Sequence, residues 1–308
     1  MERWRKRFGR VWKDRTLILM SLPAVAMLIL FSYVPMSGLV LAFKNFDYSL
    51  GLYKSPWCGL QNFRLLFLNG ATYWRITRNT IAYYLLFTVV GTVCDVGLAI
   101  AVYELVFKKA GKALQSVLIL PTFISWVAVS YLVSAFLQTN TGLINQLLEA
   151  LGKAKIPFYL ESRYWPMILL IVKIWKGTGY GSVLYLAALT GIDTELYEAA
   201  TLDGANRRQQ RRYITLPMLL PMVTIMTLLG VGGILHSDTG LFYQVTKNTG
   251  ALYETTQVLD SYLLNAITTS ADYSAMAAMT FYQSMIGCVL VIATNLIVRR
   301  ISPENSLF

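Results

Sequence analysis

The 308-residue chain has few of the residues that build metal sites and covalent frameworks. It contains three cysteines, Cys58, Cys94 and Cys288, without a C-x-x-C pair, and a single histidine. An odd cysteine count with no such pair argues against a disulfide framework and against a zinc site. The G-x-x-x-x-G-K-S/T motif that cradles phosphates is also missing, which excludes an ATPase built into the chain. We therefore expect this chain to bind no metal and no cofactor.

Charged residues are scarce too, at 14% of the chain, against about 25% in an ordinary soluble domain. Hydrophobic residues make up 56%, and the mean hydropathy is +0.51. Six segments reach the about 20 apolar residues that a spanning helix needs, at about 17–42, 79–103, 113–137, 165–189, 213–235 and 274–298. The first is too long for a signal-peptide core, so we expect it to be retained. The predicted fold class is an all-α integral membrane protein with six transmembrane helices.

The net charge of +11 is distributed unevenly between the two sides of the membrane. If the N-terminus is inside, 16 of the 27 Lys and Arg residues lie inside, 9 lie outside, and two fall within a span. An inner excess of positive charge is the rule for membrane proteins. We therefore predict cytoplasmic termini, with a basic N-terminal segment at 1–16 and a transmembrane domain at 17–308 in the lipid bilayer. Charge that sets topology is a poor sign of nucleic-acid binding, so no nucleic-acid partner is predicted.

The loop at 190–212 is the long polar segment between the fourth and fifth predicted spans. Its range Glu195–Gln210 is rich in helix-forming residues, and Asp193 or Thr194 can cap the start of that helix. Gly204 is expected to break or bend the helix. Two interpretations stay open from the residues alone: an amphipathic helix that lies on lipid headgroups, or a docking surface for another protein.

Within this loop, Glu198-Ala199-Ala200 is followed, after three intervening residues, by Gly204, and the next span opens with Ile214-x-Leu216-Pro217. This pattern resembles the signature loop of the permease subunits of bacterial binding-protein-dependent ABC importers. The resemblance implies a coupling helix that sits in a groove of an ATPase subunit. The residues it implies for that contact are Glu198, Ala199, Ala200 and Gly204, with Asp203 as a neighbour.

Other parts of the chain resemble one branch of that family, the permeases for oligosaccharides and polysaccharide fragments, similar to maltodextrin and alginate importer permeases. The matching stretches are 33–36, 42–46, 120–126, 174–177, 185–189 and 191–193. The resemblance implies a type I ABC importer permease fold in the bacterial cytoplasmic membrane. The implied partners are a second, homologous permease, two ABC ATPase subunits that use ATP and Mg, and an extracytoplasmic solute-binding protein. This chain would then be a transport subunit without a catalytic site of its own.

Two lysines in the fourth predicted span are the other polar feature of the chain. Lys173, Lys176, Gly177 and Tyr180 are spaced i, i+3, i+4 and i+7, so they share one face of a helix, called here the lysine face. A lysine near mid-membrane costs roughly 2.5–3.5 kcal/mol on insertion scales, so it needs a partner or a watery cavity. Three interpretations stay open for Lys173: an ion pair with Asp95 or with a carboxylate of a partner permease, a substrate ligand, or snorkelling.

The resemblance to maltodextrin-type permeases implies that sugar contacts come from this face and from the third span. The predicted substrate path consists of Thr122, Trp126, Lys173, Lys176, Gly177 and Tyr180. A tryptophan can stack on a sugar ring, and a lysine can pair with a carboxylate. We therefore form the hypothesis that the substrate is an oligosaccharide carrying uronic acid. A neutral sugar, a phosphodiester and another small anion stay open as alternatives.

Two further interpretations concern the polar residues outside this path. Asp238 and the residues 241–243, which follow the fifth span, are interpreted as lining the outer mouth of the path. A membrane enzyme, as a different class of function, would need a nucleophile and a base that face each other within the membrane. Asp95 and the two lysines do not make such a set, so an enzyme is not predicted.

Overall fold

Helices form the regular structure of the chain in the computed structural model, which describes residues 15–64, 70–105, 108–269 and 272–301. In chain order the α-helices are α1 Arg15–Leu28, α2 Val34–Met36, α3 Gly51–Lys54, α4 Gly70–Tyr103, α5 Lys108–Ile119, α6 Trp126–Leu137, α7 Leu143–Ala150, α8 Trp165–Thr190, α9 Thr194–Leu202, α10 Arg207–Gln210, α11 Leu216–Val231, α12 Tyr253–Thr256, α13 Leu259–Thr269 and α14 Tyr273–Ile301. Turns of 3-10 helix lie at Ser37–Phe43, Gln61–Phe63, Leu120–Phe123, Ser162–Tyr164 and Gly250–Leu252, and π-helical turns lie at Ile29–Tyr33, Arg211–Thr215 and Gly240–Val245. The predicted N-terminal segment, 1–16, lies outside the described residues except for Arg15 and Thr16.

The chain divides into two compact units, and the first holds residues 1–68 and 271–281. Its first helix runs on from 15 to 43 and changes from α to π and 3-10 geometry on the way. Aromatic side chains pack at the end of this helix, where the ring centroid of Phe43 lies 5.5 Å from that of Phe63 and 5.3 Å from that of Phe281. Edge and tilted ring contacts of this kind hold the loop that follows against the helix end.

The second unit holds residues 69–270 and 282–308, and α4 and α8 pack along each other in it. One buried cluster includes Tyr83 of α4, Val129 of α6, Leu169 of α8 and Phe242 after α11. A second cluster, around Leu189, joins the other end of α8 to α4 and α11. Lipid is as apolar as these side chains, so helix association depends on close packing and on hydrogen bonds between helices.

Five helices of the described chain are long and apolar enough to cross a membrane, at 15–43, 70–103, 162–190, 207–231 and 273–300, and the bent pair at 114–123 and 126–137 makes a sixth. The predicted all-α fold class with six transmembrane helices is confirmed. The second span is longer than predicted, because α4 begins nine residues before the predicted start at Asn79.

Polar side chains in the third and fourth turns of α4 are paired with protein groups. The Asn79 side-chain amide donates to the carbonyls of Glu254 and Gln257 at 3.0 and 3.2 Å. The Tyr83 hydroxyl donates to the carbonyl of Thr255 at 2.9 Å. These partners lie more than 170 positions away in the sequence, so a count of apolar residues cannot detect them.

The third predicted span, 113–137, is wrong as a single helix. Helix α5 passes into a 3-10 turn, and α6 leaves at an angle of 99°. Pro121 removes a backbone donor from the turn, and the backbones of Ile124 and Ser125 are extended. The hydroxyl of Ser125 then accepts from the N–H of Ala128 at 3.2 Å and starts α6 as its cap. Non-helical backbone at membrane depth needs partners within the protein.

The predicted helix over 195–210 is two helices, α9 and α10. The side chain of Asp193 caps α9 by accepting from the N–H of Glu195 at 3.0 Å. Asn206 and Gln209 form a reciprocal capping box at the start of α10.

Gly204 ends α9 at the predicted break. The N–H of Ala205 donates to the carbonyl of Ala200 at 2.8 Å, and the N–H of Gly204 donates to that of Thr201 at 3.1 Å. This pair of bonds is the Schellman motif, which needs a left-handed residue after the helix. Gly204 supplies it with φ of +82°.

Candidate functional site

Lys176 holds together the break between α5 and α6. Its ammonium group donates to the carbonyl oxygens of Pro121, Thr122 and Ile124 at 3.1, 2.7 and 2.6 Å. The same group lies 5.1 Å from the ring centroid of Trp126, within cation–π range. The side chain is buried, and the three carbonyls and the ring already surround its ammonium group. Lys176 therefore ties the broken span to α8.

Thr122 and Trp126, two other residues of the predicted path, belong to the same junction. The Thr122 hydroxyl donates to the backbone carbonyl of Lys176 at 2.8 Å. The Trp126 ring lies so close to Gly240 that a Cβ at that position would overlap it. These contacts explain why residue 240 is a glycine, and they leave both side chains half-buried in the packing at the break.

Lys173, one turn of α8 before Lys176, has a different environment. Its Nζ lies 3.1 Å from Oδ2 of Asp238, and this is its one hydrogen bond among the described residues. The two side chains are 36% and 29% exposed. An ion pair was one of the interpretations left open for Lys173, but its partner is Asp238 of the same chain. Asp95 lies beside Gly181 of α8 instead.

The rest of the lysine face is open. A Cβ at Gly177 would meet no heavy atom within 4 Å. Tyr180 is 61% exposed. Lys173, Gly177 and Tyr180 therefore form an accessible strip along α8, called here the α8 strip, while Lys176 on the same face is enclosed.

Sequence reasoning missed Asp238 as the partner of Lys173. The signal in the sequence was the position of Asp238 as the first carboxylate after the fifth span. Asp95 is the more obvious candidate from the sequence because it lies within a span. The interpretation of 241–243 as an outer mouth is wrong for Leu241 and Phe242, which are buried in the core.

The segment that carries Asp238 is anchored beside it by Asp260 of α13. The Ser237 hydroxyl donates to Oδ2 of Asp260 at 3.2 Å, and Nδ1 of His236 lies 3.6 Å from Oδ1. Gln283 donates to Oδ1 of the same carboxylate at 3.1 Å and to the carbonyl of Leu235 at 2.7 Å. The nearby carboxylate of Asp260 raises the pKa of His236, although the burial of the imidazole opposes the change.

Helix α9 presents an exposed surface in the 190–212 loop. Glu198, Ala199, Asp203 and Gly204 are exposed, and Ala200 is half-buried. Leu202, at the end of the helix, is 90% exposed. Small, acidic and apolar side chains therefore share the exposed surface of α9.

The 190–212 loop is tied to α4 by an ion pair. The Arg211 guanidinium donates to both carboxylate oxygens of Glu104, with Nε to Oε1 at 2.5 Å. Two-pronged pairs of this kind fix geometry as well as charge. The Tyr197 and Thr215 hydroxyls hydrogen bond at 3.0 Å. A cavity of about 290 Å³ lies between these groups.

The charged groups at the lysine face do not cancel one another. Lys173, Lys176 and Asp238 together carry a net charge of +1, and only Lys173 of the two lysines is accessible. Among the described residues, no group of three or more His, Cys, Asp or Glu side chains is placed to hold a metal ion.

Comparisons with known proteins identify the family. Residues 95–303 match the family model described as the binding-protein-dependent transport system inner membrane component. The polygalacturonan/rhamnogalacturonan transport system permease protein YteP of Bacillus subtilis (strain 168) is 31% identical over 293 residues, which cover 95% of this chain and 90% of YteP. Protein LplB of the same organism is 30% identical over 294 residues, 95% of this chain and 91% of LplB.

Solved structures agree with this assignment. A chain in the crystal structure of a bacterial ABC transporter involved in the import of the acidic polysaccharide alginate has a TM-score of 0.85 and 31% identity, with 96% of this chain and 99% of that chain covered. A chain in the bacterial alginate ABC transporter in complex with alginate pentasaccharide-bound periplasmic protein has a TM-score of 0.84 and 30% identity, with 96% and 98% covered. The protein therefore belongs to the family of binding-protein-dependent transport system inner membrane components, the membrane permeases of ABC importers.

Proposed function

We propose that the chain is the membrane-spanning subunit of an ATP-driven importer that translocates an oligosaccharide carrying uronic acid. An extracytoplasmic binding protein delivers the sugar, and a second, homologous permease completes the path. Two ABC ATPase subunits, which bind ATP and Mg, supply the energy from the cytoplasm, where both termini of this chain lie. The family assignment and the named substrates of YteP and of the alginate transporter support this function.

The observation that carries the acidic substrate is the single, part-exposed contact of Lys173 with Asp238. A cation kept within a span at a cost of roughly 2.5–3.5 kcal/mol indicates a function when it stays accessible. On the α8 strip, Gly177 leaves room beside the ammonium, and the exposed ring of Tyr180 can lie against a sugar. A uronate presents both chemistries that this strip recognises, a carboxylate and a sugar ring.

Energy reaches the path through the 190–212 loop in this proposal. The exposed surface of α9, which includes Glu198 and Leu202, docks on an ATPase subunit. When ATP binding closes the ATPase pair, α9 moves with it, and the Arg211–Glu104 pair passes the displacement to α4. The path then opens alternately to each side of the membrane.

The substrate is tested by uptake into proteoliposomes that contain the complete complex and its binding protein. An oligogalacturonate and its carboxyl-reduced counterpart are supplied separately. Lys173→Gln should reduce uptake of the acid at least about tenfold, the usual loss when a charged partner is removed, and should leave the reduced sugar unchanged. Lys155→Gln, which removes one cation from the surface pair with Glu149, is the control. Unchanged uptake of the acid by Lys173→Gln contradicts the proposal.

The docking surface is tested by co-purification. Glu198→Lys should release the ATPase subunits from the complex, because the charge reversal falls on the proposed contact. Glu149→Lys reverses a charge in the exposed Lys155 pair and should leave the complex intact. If Glu198→Lys retains the ATPase subunits and coupled uptake, α9 is not the docking surface.

A phosphodiester or another small anion is the second candidate, because the ammonium of Lys173 pairs with phosphate as readily as with carboxylate. A neutral sugar would use Tyr180 without Lys173. The same uptake assay separates them: competition by a phosphodiester indicates the anion, and equal uptake of the acid and the reduced sugar indicates the neutral one.

A further inference from the structure

The ammonium groups of the two lysines on the lysine face differ in how readily their contacts can be broken. Lys176 is buried, with three carbonyls and an aromatic ring around its ammonium. Among the residues that the structure describes, Lys173 has one hydrogen bond, to one oxygen of Asp238, and both side chains are part-exposed. The first arrangement is fixed by the fold. The second can be opened by any anion that reaches the α8 strip.

Asp238 has a second place for its carboxylate. It stands at the start of the helical turn before Gly240–Val245, where its backbone carbonyl accepts from the N–H of Phe242 at 3.1 Å. Its Oδ1 is 3.4 Å from the N–H of Leu241, a long contact that a small side-chain rotation would shorten. Acidic side chains are preferred caps at helix starts. A carboxylate that lost Lys173 would therefore keep a partner.

The backbone around Asp238 is held, so such an exchange needs no rearrangement of the fold. Ser237 before it is bonded to Asp260. Leu241, Phe242 and Val245 after it are buried. Only the Asp238 side chain is left to move, and rotamer changes of part-exposed side chains are fast.

We propose that Asp238 is a built-in competitor for the cargo, and that Lys173 is handed from Asp238 to a cargo carboxylate and back during each transport cycle. The inference rests on the proposed import of an acidic sugar. With the path empty, Asp238 keeps the ammonium paired, which a charge at membrane depth requires. With cargo present, the uronate takes the ammonium and the Asp238 carboxylate keeps its contact with the N–H of Leu241 at the start of its own helical turn.

The exchange explains how an acidic cargo could leave a cationic site. Transport requires binding that is strong enough to admit the cargo and weak enough to release it. An ammonium without an internal partner would hold a uronate too long. Asp238, which stays within reach, lowers the affinity and displaces the cargo when the path opens to the other side.

Asp238→Asn tests the exchange, because the amide keeps the size and can still cap the turn but no longer competes as an anion. In the reconstituted complex, the KM for an oligogalacturonate should fall about fivefold, as expected for loss of one part-exposed ion pair. The kcat should fall as well, because release slows. The KM for the carboxyl-reduced sugar, which has no carboxylate to take the ammonium, should not fall. In Lys173→Gln/Asp238→Asn, where no ammonium remains to compete for, both constants should match those of Lys173→Gln.

Each other outcome is decisive. If Asp238→Asn impairs uptake of the acid and of the reduced sugar alike, or raises the KM for the acid, Asp238 is structural and the exchange is wrong while the proposed function stands. If the unaltered complex imports only the reduced sugar, the acidic substrate and the exchange both fail. Glu149→Gln, which neutralises the carboxylate of the surface pair with Lys155, is the matched control and should leave both sugars unaffected.

Discussion

The lysine face and the 190–212 loop are both polar regions of the second unit, and they treat charge in opposite ways. On the lysine face, Lys173 and Lys176 both have partners within the chain. In the loop, Glu198 and Asp203 are exposed and have no ion pair among the described residues. Charge at membrane depth must be paired because its desolvation is costly. The charged side chains of the loop are exposed, so they do not carry this cost. A surface that water alone satisfies is free to bind a partner protein.

The largest expected effect on this comparison comes from removing the enclosed charge of Lys176. Lys176→Met should leave the carbonyls of Thr122 and Ile124 without their ammonium donor, while that of Pro121 keeps the N–H of Ile124. Unsatisfied buried groups cost about 1–3 kcal/mol each, and these two are part-buried, so a loss of about 2 kcal/mol is expected. The apparent Tm of the purified complex measures it. Lys173→Met loses only a part-exposed pair and should cost about 1 kcal/mol or less. Equal losses of stability in the two variants would show that the contacts of the two lysines contribute equally to the fold.

A substitution at Gly204 tests whether the loop depends on backbone conformation, whereas the lysine face depends on charge. Its φ of +82° places a β-branched residue in a left-handed conformation that costs roughly 1–2 kcal/mol. Gly204→Val should therefore displace the end of α9 and weaken binding of the ATPase subunits about tenfold, measured as a Kd. Gly204→Asn, which tolerates this conformation, should be close to the original. If both variants bind alike, the helix end does not matter.

The Arg211–Glu104 pair is the exception in the loop, and its removal should affect coupling more than stability. Glu104→Gln weakens the link between the loop and α4, so the ratio of sugar imported to ATP hydrolysed should fall about twofold. Uptake and hydrolysis are measured on the same proteoliposomes. A parallel fall of both rates, with the ratio unchanged, would indicate a purely structural pair.

The smallest effect concerns the anchor of Asp238 and depends on pH. The nearby carboxylate of Asp260 raises the pKa of His236 above its ordinary value of about 6.5. Because the folded-state pKa is raised, protonated His236 stabilises the fold fully below about pH 6.5. This stabilisation is lost as the pH rises through the folded-state pKa. The apparent Tm should fall by the equivalent of less than about 1 kcal/mol across that range, since the pair is part-exposed. His236→Gln should flatten this dependence; an unchanged slope would exclude the pair as its source.

The sequence predicted what local patterns determine. Apolar runs gave the six spans and the fold class, and Gly204 gave the break in the loop. The spacing of Lys173, Gly177 and Tyr180 placed them correctly on one face of α8. Each of these depends on neighbours within a few turns of helix.

Partners distant in the chain were beyond such patterns. Lys176 meets carbonyls more than 50 positions away, and Lys173 meets Asp238 at a separation of 65. The break at Ile124–Ser125 lies inside an apolar run, so hydropathy predicted one helix. Only the fold shows that one lysine is enclosed by this break and that the other is left accessible.

The break between α5 and α6 has one more consequence. Converging backbone carbonyls at an unwound helix are the groups with which ion-coupled carriers hold sodium. Here the ammonium of Lys176 already occupies them, and it is attached to the chain by a covalent tether. A cation that cannot dissociate cannot be carried down a gradient. At this position the converging carbonyls are therefore closed to a mobile coupling ion such as sodium.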